Sequence, residues 1–554
     1  MNAMVPALVP AALTQHLPVL VVLLPAFTAI ALLLLGDHGG DAHGGHAHPR
    51  LQWARRIGLA SVLLGLLLAA VAVAQAAGGV LAAYRVGDWP APYGIVLVVD
   101  RLSAMMLLLT SLVAVPVLWY ASGGWDAHGR YFHAMFQFQL MGLNGAFVTG
   151  DLFNLFVFFE VLLIASYVLM VHGQGGQRFK VGLHYVVLNL CASALFLVGV
   201  SLLYARTGTL NLADLALRVP MVAAPDAAVV KAAALVLLVV FGFKAALAPL
   251  SLWLPATYAA AAAPVAALFA IMTKVGVYAI VRVHGVVFGP EAGASAFTVE
   301  PVLLPLALLT CGVGVLGAMA AHTLERLVAW LTVASVGTIL VGVGLFGSAG
   351  WAASLYYLAN STLVVAGLFL LAELVASQRG DAADRLEPAV PVAQPVLLGS
   401  MMLLAAASAA GLPPLPGFIG KLLMLEAASA HAWQAAIWTT LLGVGFLTLV
   451  GLARAGSLLF WHVRDDAPGS TAGASPKLVS ATLALLAATV AMSVWAAPIQ
   501  RYTARAAAQL LDREAYARAV LGEAGLGAQT TRPYRFPPAP GSASGAAPAG
   551  EGGK

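Results

Sequence analysis

The chain has 554 residues, of which 61% are hydrophobic and only 9% charged. So few charges cannot clothe a soluble globule of this size, so lipid is expected to be the solvent for most of it. The net charge of +5 draws partly on arginines near the C terminus and identifies no anionic or nucleic-acid partner.

Apolar runs of about 18 to 25 residues, each long enough to cross a hydrocarbon core, recur from Pro18 to Pro498. Cutting them at polar and Gly/Pro interruptions predicts an all-α integral membrane protein of about 14 transmembrane helices. The expected spans are 17–35, 57–77, 95–120, 131–149, 152–171, 181–204, 228–250, 261–283, 301–321, 327–347, 352–376, 396–427, 433–460 and 476–497. The first lacks a basic leader and a small-residue cleavage signature, so it reads as a retained helix with the mature chain starting near Met1. The loop after it, DHGGDAHGGHAHPR, offers His38, His43, His46 and His48, but its glycines leave it flexible and no metal site is assigned to it. Asp100 and Arg101 open the third span and read as an interfacial pair.

The fifth span, DLFNLFVFFEVLLIASYVLM, holds Glu160 about 13 Å along the helix from Asp151, its nearest ionisable neighbour in sequence. His184 lies in the sixth span and His322 at the end of the ninth; each is a candidate relay residue, more simply read as a neutral hydrogen-bonded imidazole. Cys191 and Cys311 sit in apolar runs without metal spacing and read as buried structural thiols. In FGFKAALAPLSLWLP, Pro249 breaks the seventh span beside Lys244 and is expected to free the Ala245 carbonyl. Lys274 follows in FAIMTKVGVYAI, deep in the eighth. The eleventh span carries Tyr356, Tyr357, Asn360, Ser361 and Thr362, a polar run suited to organising water or to cross-linking helices. In GLPPLPGFIGKLLML, Pro413, Pro414, Pro416 and Gly417 unwind the twelfth span just before Lys421.

Irregular backbone at membrane depth persists only where protein buries it or a wet cavity meets it. The two broken spans are five apart, as expected if spans four to eight and nine to thirteen are two five-helix repeats, the second inverted because each has an odd number of helices. The expected organisation is N-terminal helices over 1–130, repeats over 131–283 and 301–460, a last helix over 476–497 and a polar tail over 498–554, its end from Pro537 disordered in composition. Arg50, Arg55, Arg56, Arg130, Arg178, Lys180, Arg326, Arg379, Arg385 and Arg464 fall on one side. The positive-inside rule makes that side cytoplasmic and places the N terminus outside, although Arg501, Arg505, Arg513 and Arg518 of the tail run against the bias.

Glu160, Lys244, Lys274 and Lys421 each cost about 3 kcal/mol at mid-bilayer unless paired or hydrated. Burial disfavours the charged form of either residue type, so both are suited to exchanging protons. Nothing in the chain has the setting of a phosphate loop, nucleophile triad or dinucleotide fingerprint, so no cofactor and no enzymatic site is expected.

The segments LMGLNGAFVTGDLFNLFVFFEVLLIASYVLM, LHYVVLNL, FKAALAPLSLWLPATYAAAAAPVAALFAIMTKVGVYAIVR and GLPPLPGFIGKLLML occur together and in order. Across about Asp100 to Arg454 the chain resembles the D subunits of the Mrp (Pha) type multisubunit monovalent cation/proton antiporters, and more distantly the antiporter-like membrane subunits of respiratory complex I. The resemblance implies fourteen helices, two inverted repeats and ion transfer along a central hydrophilic axis. It implies that Glu160 is the family's fifth-helix glutamate and that Lys244, Lys274 and Lys421 are its lysines of the seventh, eighth and twelfth helices. Asn360 stands where relatives commonly carry a histidine; an amide holds water but no proton at neutral pH.

The expected function is therefore a proton- and cation-translocating subunit of a Na+ or K+/H+ antiporter, a multi-pass protein of the bacterial inner membrane partnered by other membrane subunits. The alternative is a proton-pumping membrane subunit of an NADH:quinone oxidoreductase or membrane hydrogenase. A silent scaffold subunit is the third reading.

Overall fold

The computed structural model describes residues 11–36, 49–90, 93–463 and 473–527. Each of the fourteen expected spans has a helical counterpart in it. In chain order the first half contains α1 (Ala11–Leu35), α2 (Pro49–Ala77), α3 (Arg101–Ala121), α4 (Phe132–Val148), α5 (Leu152–Met170), α6 (Gly176–Thr207), the short α7 (Leu212–Arg218), α8 (Ala227–Ala245), α9 (Trp253–Ala260) and α10 (Ala263–Val286). The second contains α11 (Glu300–Met319), α12 (Leu324–Val343), α13 (Ser348–Ala376), α14 (Pro395–Ala410), α15 (Pro416–Ala427), α16 (Gln434–Phe460) and α17 (Pro476–Val494), followed by α18 (Ala496–Leu511) and α19 (Arg513–Gly527). Among the described residues, twelve helices are long and apolar enough to cross a membrane unaided, and α14 is a shorter apolar helix. Lipid offers no hydrogen bonds to bare backbone, so a chain this apolar satisfies its amides within helices.

Two departures from the expected elements have local causes. The third span was expected from residue 95, but Val96–Val99 forms strand β2, paired antiparallel with β1 (Ala82–Arg85) in the register Ala82↔Val99. The β-branched run VLVV favours a strand, and the helix begins only where the Asp100 side chain accepts from the Ser103 amide as its N-cap. The fold is thus helical with one small hairpin rather than wholly α. The segment expected as a polar tail begins as α18 and α19; the stretch from Pro537 lies outside the described residues, as do the four loop histidines.

Arg55 near the start of α2, Arg178 near the start of α6 and Arg385 of the α13–α14 loop lie on one face. There Arg55 pairs with Asp126, Arg178 Nε donates to the Ala260 carbonyl and the Leu324 amide to the Asp384 carbonyl. The hairpin, α7, α18 and α19 gather on the opposite face, where Tyr502 Oη donates to the Arg101 carbonyl at 2.9 Å and Arg513 pairs with Glu291 at 3.0 Å. α18 is held by Thr503, Ala506, Ala507 and Leu510, a buried stripe at helical spacing.

α10 is buried along its length and packs against α8, α13 and α3, while α12 and α13 are nearly as enclosed. These form the centre; α1, α2, α6 and α16 turn apolar faces outward. The packing of α4 on α5, α6 on α8 and α8 on α10 is matched by α11 on α12, α13 on α14 and α14 on α16. Cys311 is buried as expected, whereas Cys191 is exposed on the outer side of α6, a correction that follows from the helix having one lipid-facing side.

Candidate ion-translocation site

α8 ends because Ala246 turns left-handed (φ 64°), its amide returning to the Phe243 carbonyl and that of Leu247 to Gly242. Lys244 therefore lies in the last helical turn, where the negative end of the helix dipole favours an ammonium. The indole of Trp253 takes the Phe243 carbonyl at 3.1 Å. Hence the break starts three residues before Pro249 and the proline does not act by interrupting a continuing helix. The backbone of α10 comes close at this point: a Cβ on Gly276 would lie 2.4 Å from the Ala245 nitrogen, so only glycine permits the crossing.

Lys244 Nζ donates to Asn189 Oδ1 at 3.0 Å, and Ser193, one turn along α6, donates to Glu160 Oε1. Among the described residues Glu160 and Lys244 make no direct ion pair; a neutral amide and a hydroxyl on one face of α6 stand between them. Asn189 is fixed in turn by its own amide, which donates to the Tyr185 carbonyl at 2.8 Å. A cavity of about 20 Å³, lined by Lys244, Asn189, Tyr185 and Trp253, has room for one water. Glu160 is half-buried, on the stripe of α5 that also exposes Val157 and Ile164.

Lys274 is fully buried in the middle of α10, and its Nζ donates to Thr273 Oγ1 at 3.2 Å. The twelfth span breaks in the same way: α14 ends where Gly411 turns left-handed (φ 86°), its amide and that of Leu412 both returning to the Ala407 carbonyl, so Pro414 also lies beyond the helix end. The last carbonyls of a helix have no partner within it, and that of Ala410 accepts from Lys421 Nζ at 2.7 Å. Lys421 is buried, not extended to the membrane surface. Gly417 makes the break possible, because a Cβ there would sit 1.9 Å from the Ser408 carbonyl oxygen. Asn360 is fully buried; its Oδ1 accepts from Ser408 Oγ at 2.9 Å and its Nδ2 is without a partner. A cavity of about 30 Å³ separates Asn360 from Lys421, and Tyr357, Ser361, Ser335 and Thr448 line it. A larger one of about 230 Å³ opens beside Lys421 between α14, α15 and α16.

The remaining expected residues lie elsewhere. His184 is exposed with Nδ1 against the Lys180 carbonyl of its own helix, and His322 is exposed in the turn between α11 and α12. Tyr356 ties α13 to the Met492 carbonyl. Asp100 is not paired with Arg101: its carboxylate takes two bonds from Arg282 of α10, at 2.5 and 2.9 Å, and both side chains are buried. Asn189, Ser193 and Ser408 were not among the residues expected from sequence. The signal for the first two was the Asn/Ser pair four apart in LNLCAS within an apolar helix, which places both on one face.

A polytopic membrane protein whose buried charges lie on and around two interrupted helices has the build of an ion-translocating membrane subunit. The chain belongs to the family described as NADH:quinone oxidoreductase/Mrp antiporter, transmembrane, which matches residues 149–448. It is 40% identical over 552 residues to a probable K+/H+ antiporter D subunit of Rhizobium meliloti (strain 1021), covering 93% of this chain and 99% of that one. It is 36% identical to the Na+/H+ antiporter D subunit of Alkalihalophilus pseudofirmus, covering 92% and 100%. A chain in the structure of the Mrp complex from Dietzia sp. DQ12-45-1b superposes with a TM-score of 0.80 at 28% identity, over 92% of this chain and all of that one.

Proposed function

We propose that the protein is the proton- and cation-translocating D subunit of a multisubunit monovalent cation/proton antiporter in a bacterial inner membrane, and that protons pass along Glu160, Lys244, Lys274 and Lys421. The observation that carries the relay is the partnership of these groups. Each buried ammonium meets neutral oxygen: Asn189 Oδ1, Thr273 Oγ1 or the Ala410 carbonyl. Burial without a fixed counter-charge leaves little to hold the proton, whereas a direct carboxylate partner would lock it. Cavities of water size at Lys244 and between Asn360 and Lys421 supply the intervening carriers, with Asn360 holding water rather than a proton.

The matched packing of α4–α10 and α11–α16 supports two five-helix repeats of opposite orientation, each with its broken helix. Arginine-rich loops on one face support a cytoplasmic assignment for it and an N terminus outside. The tail arginines are consistent with this, since Arg513 and Arg518 are used locally against Glu291, Glu514 and Glu523. Full-length similarity to antiporter subunits favours exchange over a redox-driven pump. The test is cation-induced proton flux in everted vesicles from an antiporter-deficient strain carrying the whole complex. Dependence on Glu160 is expected; co-purification with flavin and iron–sulfur proteins would favour the redox reading instead.

A further inference from the structure

Lys421 lies between two cavities of different chemistry. The one toward Asn360 is small and edged by hydroxyls and an amide, whereas the one of about 230 Å³ between α14, α15 and α16 is bounded, apart from Lys421, by alanine, glycine, leucine and phenylalanine alone. Of these, Leu412, Leu422, Leu442 and Phe446 are exposed, so the pocket opens outward on the side where α16 turns its apolar face to lipid. Its depth follows from Gly445, which stands about 17 Å along α16 from Gln434 and about 23 Å from Phe460, close to the middle of the membrane.

The ammonium forms part of the pocket wall. A Cβ on Gly445 would lie 3.2 Å from Lys421 Nζ and one on Gly411 3.3 Å, and both glycines line the space. Among the described residues Nζ has one bond, to the Ala410 carbonyl at 2.7 Å, and an ammonium offers three donors. Apolar cavities stay dry and accept apolar occupants, and a mostly apolar concavity with one placed polar group is the ordinary form of a small-molecule site. The ligand that matches is an apolar tail ending in an anion. Depth excludes an intact phospholipid, whose phosphate is held at the bilayer surface, about 15 Å away across half a hydrocarbon core. A free fatty acid has no such tether.

We propose that the pocket between α14, α15 and α16 binds a free fatty acid, its chain against Leu425, Leu441 and Leu449 and its carboxylate on Lys421 Nζ. The acid arrives through lipid in its neutral form, because a bare carboxylate at that depth is costly. At a neutral Lys421 the O–H bond of the carboxyl breaks and an N–H bond forms on Nζ, leaving a carboxylate–ammonium pair with no change in net charge. The pair is a charge-assisted hydrogen bond, and an opposite charge at that distance favours the ammonium. Occupancy therefore keeps Lys421 protonated. On the relay reading of Lys421, and only on it, the same occupancy also withdraws the residue from proton exchange.

The experiment uses the assembled antiporter in vesicles and a dodecanoic acid carrying a photoactivatable diazirine near its methyl end, with the labelled peptides identified by mass spectrometry. Saturable labelling of 412–425 and 441–449 is expected, displaced by dodecanoate and not by dodecanol, which has the tail without the charge. Lys421→Met keeps an unbranched apolar chain and is expected to lower labelling several-fold. Leu449→Trp fills the pocket without touching the lysine and is expected to do the same; Leu425→Phe serves if that complex does not assemble. Equal displacement by dodecanol, or labelling unchanged by Lys421→Met, would make this a groove for any lipid tail, and absence of labelling in the assembled complex would mean that a partner subunit covers it; each overturns the proposal. The relay reading is scored apart, as cation uptake with and without dodecanoate. The fatty acid carries protons through lipid alike in every variant, so only an inhibition that Leu449→Trp relieves counts. Labelling without that difference leaves the site in place and takes Lys421 off the relay.

Discussion

Lys244 donates to the neutral amide of Asn189 and Glu160 accepts from the hydroxyl of Ser193, so the two ionisable groups meet one face of α6 a turn apart without touching. Glu160→Gln keeps the shape and removes the titrating group. It is expected to leave the complex assembled and to abolish most proton-coupled exchange; near-normal exchange across pH 6 to 9 would make Glu160 architectural. Lys244→Arg is expected to be nearly as damaging as Lys244→Ala, because a guanidinium stays charged at every accessible pH. Dye-reported proton flux checks this, and a fully active arginine variant would assign Lys244 a fixed charge. Ser193→Ala deletes a single hydrogen bond to Glu160, worth about 1 to 3 kcal/mol for a charged acceptor. Its expected signature is a displaced pH of half-maximal exchange with the maximal rate largely kept.

Each broken helix brings a lysine to a left-handed helix end, and the two ends differ in which donor takes the terminal carbonyl. α8 stops at a left-handed Ala246, and the Phe243 carbonyl accepts from both the Ala246 amide and the Trp253 indole. α14 stops at a left-handed Gly411, and the last carbonyl of the helix, that of Ala410, goes to the Lys421 ammonium itself. Pro414 lies beyond the helix end, so Pro414→Ala is expected to reduce exchange less than Lys421→Ala does, measured in the same vesicles. Gly417→Ala forces a Cβ into the Ser408 carbonyl; overpacking of this kind costs about 1 to 3 kcal/mol or more, so reduced complex abundance is expected alongside reduced flux. The positions of both breaks were legible from their prolines. Their bonding was not: the carbonyl chosen at the first break is fixed by Trp253 arriving from beyond the turn, which spacing around Pro249 does not reveal.

Across the molecule, Asp100 on α3 and Arg282 on α10, 182 residues apart in sequence, form a buried pair under the C-terminal helices. The Tyr516 ring lies 5.6 Å from the Arg282 guanidinium, so α19 closes over the pair. Removing one partner of a buried pair strands the other charge, at a cost of about 3 to 5 kcal/mol. Asp100→Asn is accordingly expected to lower the thermal stability and abundance of the complex. A variant with unchanged melting would show that water reaches Arg282. The arginines of α18 and α19 contradicted the loop bias as sequence; in the fold Arg513 and Arg518 have local carboxylate partners.

The sequence by itself determined the membrane class, the helical spans, both interruptions and the three buried lysines, Lys244, Lys274 and Lys421. Hydrophobic length and proline are local properties that act through the solvent and the single helix, and neither depends on where other helices lie. Tertiary structure alone decided which groups meet. It turned Asn189 and Ser193 from ordinary polar residues of an apolar helix into the link between Glu160 and Lys244, left His184 on the outer surface, and gave Asp100 to Arg282 instead of Arg101. Such partnerships depend on which face of each helix turns inward, and in a chain apolar on nearly every face the hydrophobic pattern carries almost no information about that rotation.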